Sequence, residues 1–144
     1  MQNVDSCSPG RRSAIELSVC AADCADALGS GDVAVLATPR VLALAEQAAV
    51  RALGDCLPED KTSVGSWAEL EHLHPSNIGE TVTAEAVLMG VHGRRLEFSI
   101  TVRSGDVDIA HCRHRRIIVN RSRFDKDAPR PQLSPGSEGS ATAS

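Results

Sequence analysis

A hydroxyl, a carboxylate and an imidazole stand in order along the chain at Thr38, Glu46 and His72. Such a set can activate water for attack on an acyl group. The carboxylate or the imidazole takes the proton, and the hydroxyl helps to steady the developing oxyanion. No other chemistry has a motif behind it. The chain contains no G-x-S-x-G, no P-loop pattern, no G-x-G-x-x-G and no H-E-x-x-H. Serine and cysteine nucleophiles therefore lack support from spacing.

Each of the three residues also has a plainer reading. Thr38 precedes Pro39, so it can simply cap a helix, with proline at the first helical position. The two roles are compatible, because a capping hydroxyl stands at the positive end of the helix dipole, where an oxyanion is stabilised. Glu46 falls on one helical stripe with Leu42, Ala49 and Leu53, at steps of four, three and four. It is expected to point the way the core points. A buried carboxylate needs a partner such as Arg or His, or a place at a cavity. His72 ends a strand just before His74-Pro75, where a surface histidine is common. Glu69 and Glu71 read as a solvated strand face. His111 and His114 alternate with Arg113, Arg115 and Arg116. That basic stretch is either another solvated face or a place for phosphate, which arginine holds by paired hydrogen bonds.

The elements that must position these groups follow from periodicity. Ala14 to Cys20 alternates weakly and reads as a first strand. Asp23 to Leu28 allows a short helical turn. Thr38 to Leu53 is the clearest helix, rich in alanine and closed by Gly54. Four strands follow, over 62–72, 80–91, 95–103 and 107–119. Gly93 and Gly105 lie in the turns between the last three. In the middle pair, Val82, Ala84, Ala86 and Leu88 share one face, as do Leu96, Phe98, Ile100 and Val102. The order predicts an α+β domain with an antiparallel sheet around one small-residue helix. Residues 1–12 and 125–144 read as disordered ends, the latter from its Pro, Ser, Gly and Ala content, leaving a single domain over 13–124.

Composition removes several classes. Trp67, Phe98 and Phe124 are the only aromatics and the net charge is -4, so neither a stacking platform nor a basic footprint for nucleic acid is present. No stretch approaches the roughly 20 apolar residues of a membrane span. The segment Met1 to Gly10 lacks the apolar run of a signal peptide, so a cytoplasmic location is expected. Cys7, Cys20, Cys24, Cys56 and Cys112 form an odd set without C-x-x-C spacing. They are expected to be free thiols in a reducing compartment, with no metal site and no cofactor.

Four stretches carry a resemblance. They are Ala27 to Pro39, Leu42 to Ala49 with Glu46 inside it, Leu57 to Gly65 followed by Glu71 to Pro75, and Gly79 to Ala86 with Gly93 to Phe98. Together they resemble the fluoroacetyl-CoA thioesterase-like branch of the hotdog superfamily over about residues 14 to 119. The resemblance implies a hotdog fold and hydrolysis of an acyl-CoA or acyl-carrier-protein thioester. It implies that Glu46 acts on the carbonyl as nucleophile or through water, that Thr38 orients Glu46 or the substrate carbonyl, and that His72 serves as acid and base. It places the site at a homodimer interface, where coenzyme A threads between subunits. Gly65 would admit the acyl group, while Arg113 and Arg115 would meet the coenzyme's phosphates. One feature departs from the pattern. The fluoroacetyl-specific member closes its pocket with aromatic residues before the helix, and Ala21 to Ala37 contains none.

Two other classes compete: a non-catalytic hotdog module that binds a small acyl or hydrophobic ligand, and a hotdog hydratase or dehydratase. The latter usually pairs Asp with a differently placed His, so the Thr-Glu-His order counts against it.

Overall fold

A computed structural model describes residues 7–124. Strand β1 (Arg12–Ser18) leads through a 3-10 turn (Ala21–Asp23) and a short helix α1 (Ala25–Leu28) to the long helix α2 (Thr38–Leu53). Strands β2 (Lys61–His72), β3 (Thr81–His92), β4 (Arg95–Ser104) and β5 (Val107–Asn120) follow, then a 3-10 turn over Arg121–Phe124. All strand pairs are antiparallel, in the order β1-β3-β4-β5-β2. β1 and β2 are therefore the sheet edges, and the long β2 is largely exposed through its middle.

The alternation read from the sequence sets which face of the sheet meets α2. Val82, Ala84, Ala86 and Leu88 of β3 are buried, as are Leu96, Phe98, Ile100 and Val102 of β4. Ala84 pairs with Val102, Ala86 with Ile100 and Leu88 with Phe98. Helix α2 answers with Val41, Leu44, Ala45, Ala48, Ala49, Ala52 and Leu53, all buried. Small residues on both surfaces let helix and sheet approach closely. Ala48→Leu would overpack that contact, at a cost of about 1–3 kcal/mol. Gly93 turns the β3–β4 hairpin at φ 63°, a conformation other residues rarely adopt.

Two devices aim the side chains singled out by the sequence. Asp23 is buried, accepts a hydrogen bond from the Cys20 backbone N–H, and pairs with Arg40 Nε at 2.9 Å. Its own carbonyl accepts from the Ala37 N–H, which fixes the start of α2. The second device is a break in register in β2. Gly65 faces Arg116 and Trp67 faces Arg115, so Ser66 is an extra residue. A bulge of this kind bends the strand and re-aims its neighbours.

Three expectations change. The helix N-cap is Ala37 rather than Thr38, and no side chain caps it. Thr38 is already helical, and its hydroxyl is engaged by His72. Glu46 does not lie in the core stripe but at its margin, because the buried face is centred on Val41, Ala45, Ala48 and Ala52; its side chain is 40% exposed. The thiols are not all free, since Cys7 and Cys56 form a disulfide. The same segment shows that structure begins ahead of residue 13. Gly10 N–H donates to Leu88 O, Leu88 N–H donates to Arg11 O, and Arg11 Nε donates to Ala52 O. The expected tail over 125–144 lies outside the described residues, as do residues 1–6.

Candidate functional site

The residues singled out by type fall into two groups along α2. At its first turn, Thr38 Oγ1 lies 2.8 Å from His72 Nδ1, the last residue of β2. The other ring nitrogen, Nε2, is shielded from solvent and makes no well-formed hydrogen bond. Burial pulls the His72 imidazolium below the usual histidine range, partly offset by the His74 backbone. The ring is thereby biased toward the neutral form, which can take a proton. A cleft of about 280 Å³ opens beside the pair, lined in part by Leu36, Ala37, His74 and Pro75.

Glu46 stands two turns further on. Eight residues at 1.5 Å each place it about 12 Å along the helix axis from Thr38. Its carboxylate lies over Gly65: a Cβ built on Gly65 would stand 2.8 Å from Glu46 Oε2. Around that oxygen gather His114 Nε2 at 3.6 Å and Arg116 Nη1 at 3.5 Å. Arg116 is anchored in turn by Ser63, whose hydroxyl accepts from Nε at 2.9 Å and whose carbonyl accepts from Nη2 at 3.1 Å. Burial lowers the Arg116 pKa and the Glu46 charge works against that. His114 is almost fully buried, and its Nδ1 lies 2.8 Å from the Trp67 carbonyl. Burial is the main cause that holds His114 below the usual histidine range.

This is a half-exposed carboxylate with a buried imidazole and a guanidinium behind it and no side chain beneath it. Its other side is open to solvent. Cys112, on the same face of β5, is not a competing nucleophile, because burial and the Glu46 charge push its thiol up to about 11.

Sequence reasoning picked Thr38, Glu46, His72 and Gly65 and missed His114 and Arg116. Thr38 is brought to His72, and Gly65 to Glu46, but the two pairs remain apart within one chain. Arg113 and Arg115 point to the opposite face of β5 from Glu46. There the Arg115 guanidinium lies over Trp67, 4.9 Å from the ring centre, and pairs with Glu97 at 3.5 Å. The signal for the missed pair was parity. Ala110, Cys112 and Ile118 are apolar at even positions, and His114 and Arg116 share that parity and that burial. Among the described residues no cluster of His, Cys, Asp or Glu could hold a metal ion, and no helix is long and apolar enough to cross a membrane.

The chain resembles known proteins over most of its length. A family model described as fluoroacetyl-CoA-specific thioesterase matches residues 19–122. The fluoroacetyl-CoA thioesterase of Streptantibioticus cattleyicolor is 32% identical over 91 residues, which are 63% of this chain and 66% of that protein, just under two thirds of its length. Among solved structures, a mutant of the fluoroacetyl-CoA-specific thioesterase FlK in complex with fluoroacetate and CoA superposes with a TM-score of 0.77. It is 26% identical, over 83% of this chain and 100% of that one. A hot-dog-like protein from Thermanaerovibrio acidaminovorans superposes with a TM-score of 0.75 at 23% identity, over 82% of this chain and 87% of that one, which bears on the fold alone.

Proposed function

The chain belongs to the fluoroacetyl-CoA-specific thioesterase family, and on that premise we propose that it hydrolyses an acyl-CoA thioester at a site shared between two copies of itself. The observation that carries the reading is the Glu46 carboxylate. It is open on one side and held on the other by His114 and Arg116, over a backbone position with no side chain. Glu46 acts on the thioester carbonyl, directly or through a water. Direct attack gives an acyl-enzyme anhydride and coenzyme A thiolate, and water then releases the acid. General-base attack gives acid and thiol in one passage through a tetrahedral intermediate. Thr38 and His72 bind or polarise the carbonyl, and the neutral His72 ring takes up the proton released by the attacking water and passes it to the leaving sulfur.

Within a single chain about 12 Å of helix separates Thr38 from Glu46, which sets the two roles apart. A dimer removes the difficulty. β2 is a long edge strand, and an unpaired edge calls for a partner. Antiparallel pairing of two β2 strands centred near Ala68 sets Gly65 opposite Glu71 of the partner subunit, one residue from His72 of the partner subunit. The Thr38–His72 pair of one subunit then flanks the Glu46 of the other, and the two sheets become one of ten strands.

Arg113 and Arg115 enter this reading from the outer face of the sheet, as contacts for the coenzyme's phosphates. A cytoplasmic setting belongs to the same proposal, since acyl-CoA is an intracellular metabolite. The test is release of free thiol from a panel of short acyl-CoAs that includes acetyl- and fluoroacetyl-CoA. Hydrolysis of at least one member, lost in Glu46→Gln, is expected. With no aromatic residue between Ala21 and Ala37 to close the pocket, fluoroacetyl-CoA should rank no higher than acetyl-CoA. Binding without thiol release across the panel would replace the enzyme by a ligand-binding module.

A further inference from the structure

Behind Glu46 lies a chain of contacts that the reaction as proposed does not use. The bulge at Ser66 brings the Trp67 carbonyl to His114 Nδ1 at 2.8 Å. A carbonyl can only accept, so Nδ1 carries the hydrogen. In the neutral ring this leaves Nε2 as a lone pair. Arg116 Nη1 lies 3.1 Å from that lone pair and donates to it. The same Nη1 reaches Glu46 Oε2 at 3.5 Å, while Ser63 holds the rest of the guanidinium.

We propose that His114 is the positioning residue of this site: locked by the Trp67 carbonyl into its Nδ1–H form, it accepts from Arg116 and so sets the guanidinium, and through it the Glu46 carboxylate. The inference rests on the thioesterase reading for its kinetic consequence, though not for its geometry. His114 does not touch the substrate. It acts by staying neutral.

Protonation reverses each contact. A proton added at Nε2 removes the acceptor from Arg116 and sets two cations against each other. It also places a new donor 3.6 Å from Glu46 Oε2, where an ion pair would quench the carboxylate. The charged groups facing the ring are Glu46 from α2 and Arg116 from β5 itself. β2 contributes the Trp67 carbonyl, and β4 contributes the Phe98 ring, its centre 6.4 Å away. Burial, the largest influence, and Arg116 favour the neutral ring, whereas Trp67 and Glu46 favour the cation. The balance lies below the usual histidine range, so the neutral form prevails at neutral pH, and acidification converts the site from open to quenched.

Two measurements test this. The first is the 15N NMR spectrum of the ring in the wild-type homodimer without substrate, assigned by its loss in His114→Asn. A neutral ring protonated on Nδ1 at pH 7 is expected; protonation on Nε2, or a cationic ring at that pH, overturns the proposal. This arm stands whether or not any thioester is cleaved, so its failure and the failure of the thioesterase reading are separate events. The second is the pH profile of kcat and KM. His114→Asn keeps a donor for Trp67, but its shorter amide carries no acceptor out to where Nε2 meets Arg116. It should lose about 10-fold or more in kcat, with a smaller change in KM, as a displaced catalytic group does. Its acid limb should be shallower by one proton. His114→Gln, whose amide oxygen can reach Arg116, should recover part of the loss. Wild-type kcat and an unchanged acid limb in folded His114→Asn would overturn the proposal.

Discussion

Gly65 and Glu46 share a space that no side chain on Gly65 could enter, since a Cβ there would stand 2.8 Å from Glu46 Oε2 and 3.2 Å from His114 Cε1. The absence of a methyl group is thus part of how the carboxylate is placed. His114 is fixed by a short hydrogen bond and cannot give way, so the half-exposed Glu46 must. Gly65→Ala should displace Glu46 by about an ångström and lower kcat by roughly 10²-fold, the scale of a misplaced reacting group. β2 backbone pairing with β5 should survive. The check is kcat and melting temperature on one preparation. A fully active Gly65→Ala would mean that Glu46 acts from some other position.

The division of the site between Thr38–His72 and Glu46 leads to a mixing experiment. Glu46→Gln keeps shape and loses charge, and should lower turnover by about 10²-fold or more. His72→Ala should do the same. If the working site takes Glu46 from one subunit and His72 from its partner, each mixed dimer of the two variants contains one intact site and one doubly damaged site. Random re-pairing after mixing should then restore about a quarter of wild-type activity. A site built within one chain restores none, because every site then carries a lesion. Light scattering on the same samples must show dimers, since a monomer at micromolar concentration excludes the shared site.

The fold was legible because its signals are local. Strict alternation from Leu96 to Val102 and from Val82 to Leu88 could only mean two half-buried strands. The alanine-rich run bounded by Thr38-Pro39 and Gly54 could only mean a helix. The pairing of Thr38 with His72 and of Gly65 with Glu46 is long-range: the family resemblance brought in the residues, and only the folded chain shows the pairs. His114 and Arg116 were hidden by composition. A stretch reading His-Cys-Arg-His-Arg-Arg suggests water on both sides, yet its even members face the helix and its odd members face out. Glu46 was placed too deep, because a four-residue stripe on a helix has a tilt that only packing against a real sheet resolves. The Cys7–Cys56 bond depends on a chain crossing between the segment before β1 and the end of α2, which spacing along the sequence does not encode.

The outer-face arginines can be judged separately. Arg115 already has Trp67 and Glu97, so its freedom to bind a ligand is reduced, whereas Arg113 is exposed. If the two meet the coenzyme's phosphates, Arg113→Ala with Arg115→Ala should raise KM for an acyl-CoA several-fold. KM for the matching acyl-pantetheine, which lacks the nucleotide, should not change. Equal KM values for both substrates, before and after the substitutions, would remove the coenzyme from that face. The basic stretch would then serve only as a solvated surface beside Trp67.

The disulfide makes a prediction about stability rather than chemistry. Cys7 precedes β1 and Cys56 follows α2, so the bond closes a loop across 49 positions and ties the leading segment to the C-terminal end of the helix. Such a bond typically contributes about 2–4 kcal/mol, and the chain-entropy argument for a loop of this length gives the upper end, chiefly by restricting the unfolded chain. Adding reductant, or making Cys56→Ser, should therefore lower the melting temperature by several degrees, on the order of 5–15 °C. The bond lies beyond the last turn of α2, more than two turns past Glu46. Turnover per folded molecule at 25 °C should accordingly hold. Thiol titration in denaturant separates the states, with three thiols in the oxidised chain, from Cys20, Cys24 and Cys112, and five in the reduced one. Protein taken directly from a reducing cytoplasm should show five, and should gain the extra melting temperature only after oxidation. Three thiols in material lysed under thiol-blocking conditions would instead place the working protein in an oxidising compartment, against the cytoplasmic setting proposed above.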